Sequence, residues 1–181
     1  MDEDDYLLYE VCERGHTDIV KLFITSGANI QELLDEDDYL LYEVCERGHT
    51  DIVKLLLDRN VDLSQCHGRL GETPLHVACR EGHTDIVKLL LDRNVDLPQC
   101  DGFFGYTPLH VACIEGHTDI VKLLLDRNVD LSQCHGRLGE TPLHVACRVG
   151  HTDIVKLLLD RNVDPSQCSI GSGYTPLYVA C

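Results

Sequence analysis

The chain has 181 residues with 31 acidic against 15 basic side chains, a formal charge of −16, and an acidic surface of that kind repels phosphate backbones and anionic bilayers. Binding to nucleic acid or to membrane is therefore not expected. No apolar run reaches the length of a membrane span and the start, Asp2-Glu3-Asp4-Asp5, does not read as a secretory signal, so the expected setting is intracellular, in the cytoplasm.

In chain order, the first 38 residues hold 12 acidic and 2 basic side chains, so most of the charge sits there. The segment Asp2-Glu3-Asp4-Asp5-Tyr6-Leu7-Leu8-Tyr9-Glu10-Val11-Cys12 is duplicated as Asp35-Glu36-Asp37-Asp38-Tyr39-Leu40-Leu41-Tyr42-Glu43-Val44-Cys45. Asp5 and Asp38 are the expected caps of the two helices that follow, and the remaining carboxylates suit the positive end of a helix dipole. Docking of a basic partner segment on these runs is the alternative.

From residue 73 the pattern is regular. Thr-Pro-Leu-His-Val-Ala-Cys starts at Thr73, Thr107 and Thr141, with Thr-Pro-Leu-Tyr-Val-Ala-Cys at Thr175. Gly-His-Thr-Asp-Ile-Val-Lys-Leu starts at Gly15, Gly48, Gly82, Gly116 and Gly150, 34 residues apart except for 33 between the first two. Threonine then proline predicts a helix start, glycine a tight turn, and Ile86, Val87, Leu89, Leu90 and Leu91 an apolar stripe on a second helix. Asn60, Asn94, Asn128 and Asn162 are placed to end that second helix in a left-handed conformation. One such pair cannot bury its own apolar face, so a period of this size predicts a stacked array. The expected units are 2–34, 35–68, 69–102, 103–136 and 137–170, with a half unit over 171–181, all within a single 1–181 domain. The half unit stops where its second helix should begin, which reads as a segment of a longer array.

The ten cysteines form two ladders, Cys12, Cys45, Cys79, Cys113, Cys147 and Cys181 at first-helix ends, and Cys66, Cys100, Cys134 and Cys168 in connecting loops. Equivalent positions in stacked units lie about 8–10 Å apart, beyond the roughly 7 Å that a disulfide spans, so free thiols are expected. Eight of the ten histidines recur at fixed register: His16, His49, His83, His117 and His151, and His76, His110 and His144. A ladder of this kind predicts a structural role, since an active site needs a constellation. Cys66-His67 and Cys134-His135 are the remaining metal candidates, but no paired-ligand clamp accompanies them and no zinc site is expected. No phosphate-binding loop or catalytic order stands out from the repeats. No enzyme, cofactor or metal is expected.

The Thr-Pro-Leu-His and Gly-His motifs make the chain resemble the ankyrin repeat family, strongly from Thr73 to Cys181 and more weakly before residue 46. The resemblance implies an all-α ankyrin-repeat solenoid of stacked helix-turn-helix units with β-hairpin or loop fingers. Three departures accompany it: one extra loop residue near His67-Gly68, a cysteine where the family usually has a second alanine, and asparagine in place of the glycine of Gly-Ala-Asp. It further implies that the histidines bond turn and Thr-Pro loop backbone. It also implies that finger tips and the end of the first helix line a groove for a partner protein or peptide.

Units three to five differ at those places. The turns are Arg69-Leu70-Gly71-Glu72, Phe103-Phe104-Gly105-Tyr106 and Arg137-Leu138-Gly139-Glu140; the helix ends are Arg80-Glu81, Ile114-Glu115 and Arg148-Val149. The expected recognition residues are therefore Arg69, Leu70, Glu72, Arg80, Glu81, Phe103, Phe104, Tyr106, Ile114, Glu115, Arg137, Leu138, Glu140, Arg148 and Val149. Phe103 and Phe104 are the aromatic anchors of that reading; in the alternative they fold back over the helix ends. The expected function is a protein-interaction scaffold, monomeric or weakly self-associating through Phe103 and Phe104. The alternatives are a redox- or metal-responsive module using the loop cysteines, and a cytosolic segment of a larger enzyme or channel.

Overall fold

A computed structural model of the chain describes residues 3–27, 39–59, 63, 66, 68, 71–93, 105–127, 131, 134–136 and 138–181. Two compact units divide the chain, Met1–Val95 and Asp96–Cys181. The first holds α1 (Glu3–Glu13), α2 (Thr17–Thr25), α3 (Leu40–Glu46), α4 (Thr50–Leu57), α5 (Pro74–Glu81) and α6 (Thr84–Asp92). The second holds α7 (Pro108–Glu115), α8 (Thr118–Asp126), α9 (Pro142–Val149), α10 (Thr152–Asp160) and the short α11 (Pro176–Val179). Within each unit, helices pair through a tight turn and the pairs stack. First helices pack on first helices, α1 on α3 on α5 and α7 on α9 on α11. Second helices do the same, α2 on α4 on α6 and α8 on α10. The described residues contain helices and turns and no strand, so the expected hairpin fingers are seen there only as turns.

The local chemistry explains each helix boundary. Thr73, Thr107 and Thr141 hold extended backbone at the N-cap, proline follows at the first helical position, and Gly82, Gly116 and Gly150 end the helix at φ 79°, 81° and 82°. That left-handed conformation costs glycine nothing and other residues strain. The cap is completed by a histidine in the place usually held by glutamate: the Thr107 backbone N–H donates to His110 Nδ1 (3.2 Å), and the His110 N–H reaches Thr107 Oγ1 (3.5 Å). A neutral ring with its proton on Nε2 satisfies this arrangement, since Nε2 donates to the carbonyl of Glu140 (2.9 Å) in the next repeat. His144 repeats it with Thr141 and the Tyr174 carbonyl. α1 begins at Glu3, so Asp5 falls inside the helix rather than at the expected cap position ahead of it. α3 has Tyr39 at its N-cap, with helical backbone and no side-chain cap bond; Asp38 lies outside the described residues. Asn162 has the expected left-handed backbone, φ 59°, while Asn60, Asn94 and Asn128 are outside the described residues.

Stacking buries the stripe read from the sequence. Ile52, Val53 and Leu56 of α4, and Leu124 of α8, are fully buried, as are Val44 and Cys45 of α3. Each such aliphatic side chain contributes about 1.5–3 kcal/mol of transfer free energy. The second histidine ladder locks neighbours together. His49 Nε2 donates to the Glu13 carbonyl (2.9 Å), His83 to Glu46 (3.1 Å) and His151 to Ile114 (3.0 Å). Each ring lies over the turn glycine of the preceding repeat: a Cβ on Gly15, Gly48 or Gly116 would stand 2.5–2.7 Å from His49, His83 or His151. The Gly-His pair is thus one contact across the stack.

Candidate interaction surface

The Thr-to-Cys block that repeats from Thr73 onward is buried throughout at 73–79 and 107–113, and the positions that differ between units surround it. Glu72, Arg80, Tyr106, Ile114 and Glu140 are half-buried, and Glu81, Glu115, Leu138, Arg148 and Val149 are exposed. Arg69, Leu70, Phe103, Phe104 and Arg137 lie outside the described residues, so neither reading of the two phenylalanines is addressed.

Six of the ten described candidates fall into two matching clusters. In the first unit, Tyr42 Oη donates to Glu72 Oε2 (2.8 Å), Arg80 pairs with the same carboxylate, and Arg80 also reaches Glu46 (3.0 Å), Glu81 (3.0 Å) and Tyr42 Oη (3.3 Å). In the second, Tyr106 Oη donates to Glu140 Oε2 (2.7 Å), with Arg148 3.5 Å from the phenol and 3.6 Å from the carboxylate. Each cluster ties a tyrosine of one repeat to a glutamate and an arginine of the next. The two phenols come from different registers. Tyr42 stands where later repeats carry the cap histidine, whereas Tyr106 precedes the cap threonine and stacks on His110 at 5.2 Å.

The electrostatics follow from this geometry. Burial alone would raise the Glu72 carboxyl, but hydrogen bonds from Arg80 and Tyr42 outweigh it and hold it below the usual carboxylate range. Burial, with the Glu72 carboxylate alongside, pushes the Tyr42 phenol up to about 12 despite the lowering by Arg80. Burial and Glu140 likewise raise Tyr106. Arg80 is shifted upward, its carboxylate and phenol partners overcoming the effect of burial. Shifts in these directions keep Tyr42 and Tyr106 neutral and Glu72 and Arg80 charged at neutral pH.

Four residues of the clusters, Tyr42, Glu46, Gly68 and Gly136, were not among the expected candidates. Gly68 and Gly136 lie under the tyrosine rings, where a Cβ would stand 2.5 Å from Tyr42 and 2.7 Å from Tyr106. Each glycine N–H also donates to the carbonyl of the paired glutamate, Gly68 to Glu72 (2.7 Å) and Gly136 to Glu140 (2.8 Å). The extra loop residue noted near His67-Gly68 thus falls in the turn that seats the ring. No sequence signal separates these two glycines, since Gly102 stands three residues before Gly105 just as Gly68 and Gly136 stand before Gly71 and Gly139, with no tyrosine 26 or 30 residues ahead of it.

The thiols divide by burial. Cys12, Cys45, Cys66, Cys79, Cys113 and Cys134 are buried, Cys147 is half-buried, Cys168 and Cys181 are exposed, and all are unbridged. Burial pushes Cys12 up to about 12 and raises Cys45 and Cys79, which withholds the thiolate that redox chemistry needs. Among the described residues no group of three or more His, Cys, Asp or Glu side chains could hold a metal ion, and no helix is long and apolar enough to cross a membrane.

The profile of ankyrin repeats in three copies matches this chain over residues 7–101, 61–133, 94–167 and 129–181. No individual curated protein matches it. Ankyrin repeats are in general protein–protein interaction modules, and the stacked helix pairs, the histidine-completed caps and the profile together show that the chain belongs to the ankyrin repeat family.

Proposed function

We propose that the chain is a non-catalytic scaffold that binds a partner protein or peptide through its finger tips and the ends of its first helices, centred on Phe103, Phe104, Tyr106 and Ile114. One observation carries the reading. Repeats that are otherwise nearly identical differ at these positions, and the described ones, Tyr106, Ile114, Glu115, Arg148 and Val149, lie at the surface around a buried common block. Differences confined to the surface change recognition without changing the fold. Tyr106 and Arg148 are held by Glu140, so a partner meets side chains already ordered, at little entropic cost. The reading extends Arg69, Leu70 and Arg137 as flanking contacts and places binding in a reducing, intracellular compartment.

The test compares capture of partners by wild type with capture by Phe103→Ala/Phe104→Ala and by Ile114→Ala, at matched helix content. Loss of the captured band, equivalent to about 2 kcal/mol or more for a true anchor, supports the reading. Unchanged capture with a large fall in melting temperature would show that the phenylalanines pack the core instead.

A further inference from the structure

The two tyrosine clusters are built alike but are not equally filled. Arg80 stands among three carboxylates: it pairs with Glu72, with Glu46 of the preceding first helix (3.0 Å) and with Glu81 beside it (3.0 Å). Arg148 holds the same register two repeats later, but there Ile114 takes the place of Glu46 and Val149 that of Glu81. Both replacements lie inside the array, one on the helix ahead of Arg148 and one on its own. Among the described residues Arg148 is left with the Glu140 carboxylate at 3.6 Å and the Tyr106 phenol at 3.5 Å, at the outer limit of a hydrogen bond; Glu115 on the facing helix end makes no ion pair with it. The Arg148 side chain is accordingly 46% exposed, against 28% for Arg80.

Apolar surface frames this guanidinium. Val149 is 42% exposed, and the same register is exposed at Glu81 and Glu115. Leu138, two residues before Glu140, is 62% exposed even though the following turn is already seated on it, the Gly171 N–H donating to the Leu138 carbonyl (2.9 Å). An arginine with donors to spare among exposed aliphatic side chains matches a carboxylate with an apolar neighbour. Resting on the reading of this surface as the partner-binding face, we propose that Arg148 binds an aspartate or glutamate side chain of the partner. That carboxylate takes the place which Glu46 and Glu81 take in the first unit, and the apolar residue next to it rests on Leu138 and Val149. Arg80 has its carboxylates supplied by its own chain, which directs an acidic partner segment to the second unit.

The probe is a library of random peptides displayed on phage and selected on the wild-type chain. Enriched sequences are expected to share an aspartate or glutamate beside an apolar residue. Synthetic copies with that acid changed to its amide should bind about 10-fold or more weakly by fluorescence anisotropy. Arg148→Gln should weaken the acidic peptide to the same extent and leave the amide copy unaffected. Ile114→Glu, which gives Arg148 the internal carboxylate that Glu46 gives Arg80, should also lose the acidic peptide at unchanged helix content. Val149→Glu, at an exposed position, takes its place should Ile114→Glu lose helix content. Enriched peptides without an acid, or an acidic peptide indifferent to Arg148→Gln, overturn the proposal. If such peptides are still lost on Phe103→Ala/Phe104→Ala, the interaction surface stands and only its acidic partner is wrong. If they ignore both changes, the surface itself is refuted as well.

Discussion

Gly136→Ala is expected to destabilise the second unit through a contact made between repeats. The added methyl group would stand 2.7 Å from Tyr106 Cε1 and 2.8 Å from Cδ1, against the 3.5–4.0 Å at which carbon atoms rest. The ring must move by about 1 Å, and that displacement breaks the 2.7 Å phenol–Glu140 bond and shifts the stack on His110. Crowding of this kind costs about 1–3 kcal/mol and a hydrogen bond to a charged group about 1.5–3 kcal/mol. The two losses share one ring movement and are not summed, which leaves about 2 kcal/mol, or about 4–8 °C of melting temperature for a chain of this length. The assay is a double-mutant cycle with Tyr106→Ala, read by urea and thermal unfolding. Removing the ring opens the space the methyl needs, so Gly136→Ala in the Tyr106→Ala background is expected to cost less than about 0.5 kcal/mol. An equal cost in both backgrounds would refute the ring contact as the cause.

Three further outcomes follow from the same geometry. Gly68→Ala, which brings a methyl 2.5 Å from Tyr42, is expected to lower stability by a similar ~2 kcal/mol, relieved in a Tyr42→Ala background when both are measured by denaturant melts. Glu72 has its carboxyl lowered in the fold, so it stabilises the native state above the ordinary carboxylate pKa and loses that contribution as pH falls through the lowered value. The gap in urea midpoint between wild type and Glu72→Gln should therefore be present at pH 7 and shrink on acidification; a gap unchanged at the acid end would disprove the linkage. In native protein a thiol reagent should modify Cys168 and Cys181 first and Cys147 more slowly, leaving the buried Cys12, Cys45, Cys66, Cys79, Cys113 and Cys134 until denaturant is added, as peptide mapping would resolve.

The helices could be read before the structure was seen because their signals are local. Threonine before proline, a turn glycine three residues after Cys12, Cys45, Cys79, Cys113 and Cys147, and a stripe of Ile, Val and Leu each act within a few residues of chain. The histidines were readable as structural from their repetition, although the partner carbonyls, some 30 to 37 residues away, were not. Where the reading failed, local signals competed: four acidic residues in a row offer several caps, and α1 starts ahead of Asp5. The candidate surface was placed by difference between repeats, which finds what varies but not what the variable residues touch. Nothing in Tyr42 or Gly68 as single residues announces that one ring lies on the other glycine, or that Glu72 and Arg80 meet that phenol. Such contacts depend on how one repeat seats on the next.

The tyrosine clusters have a consequence for how such an array can lengthen or shorten. The Gly-His motif recurs in every full unit, and on its account any single 34-residue block could be lost. The tyrosine, glutamate and arginine partners instead follow a two-block rhythm: Glu72 and Arg80, then Tyr106 and Ile114, then Glu140 and Arg148, then Tyr174. Excising residues 103–136 would set two Glu-Arg blocks side by side and strip Glu140 of its phenol. Viable insertions and deletions in this sequence should therefore come in pairs of blocks, so that the array counts by evens.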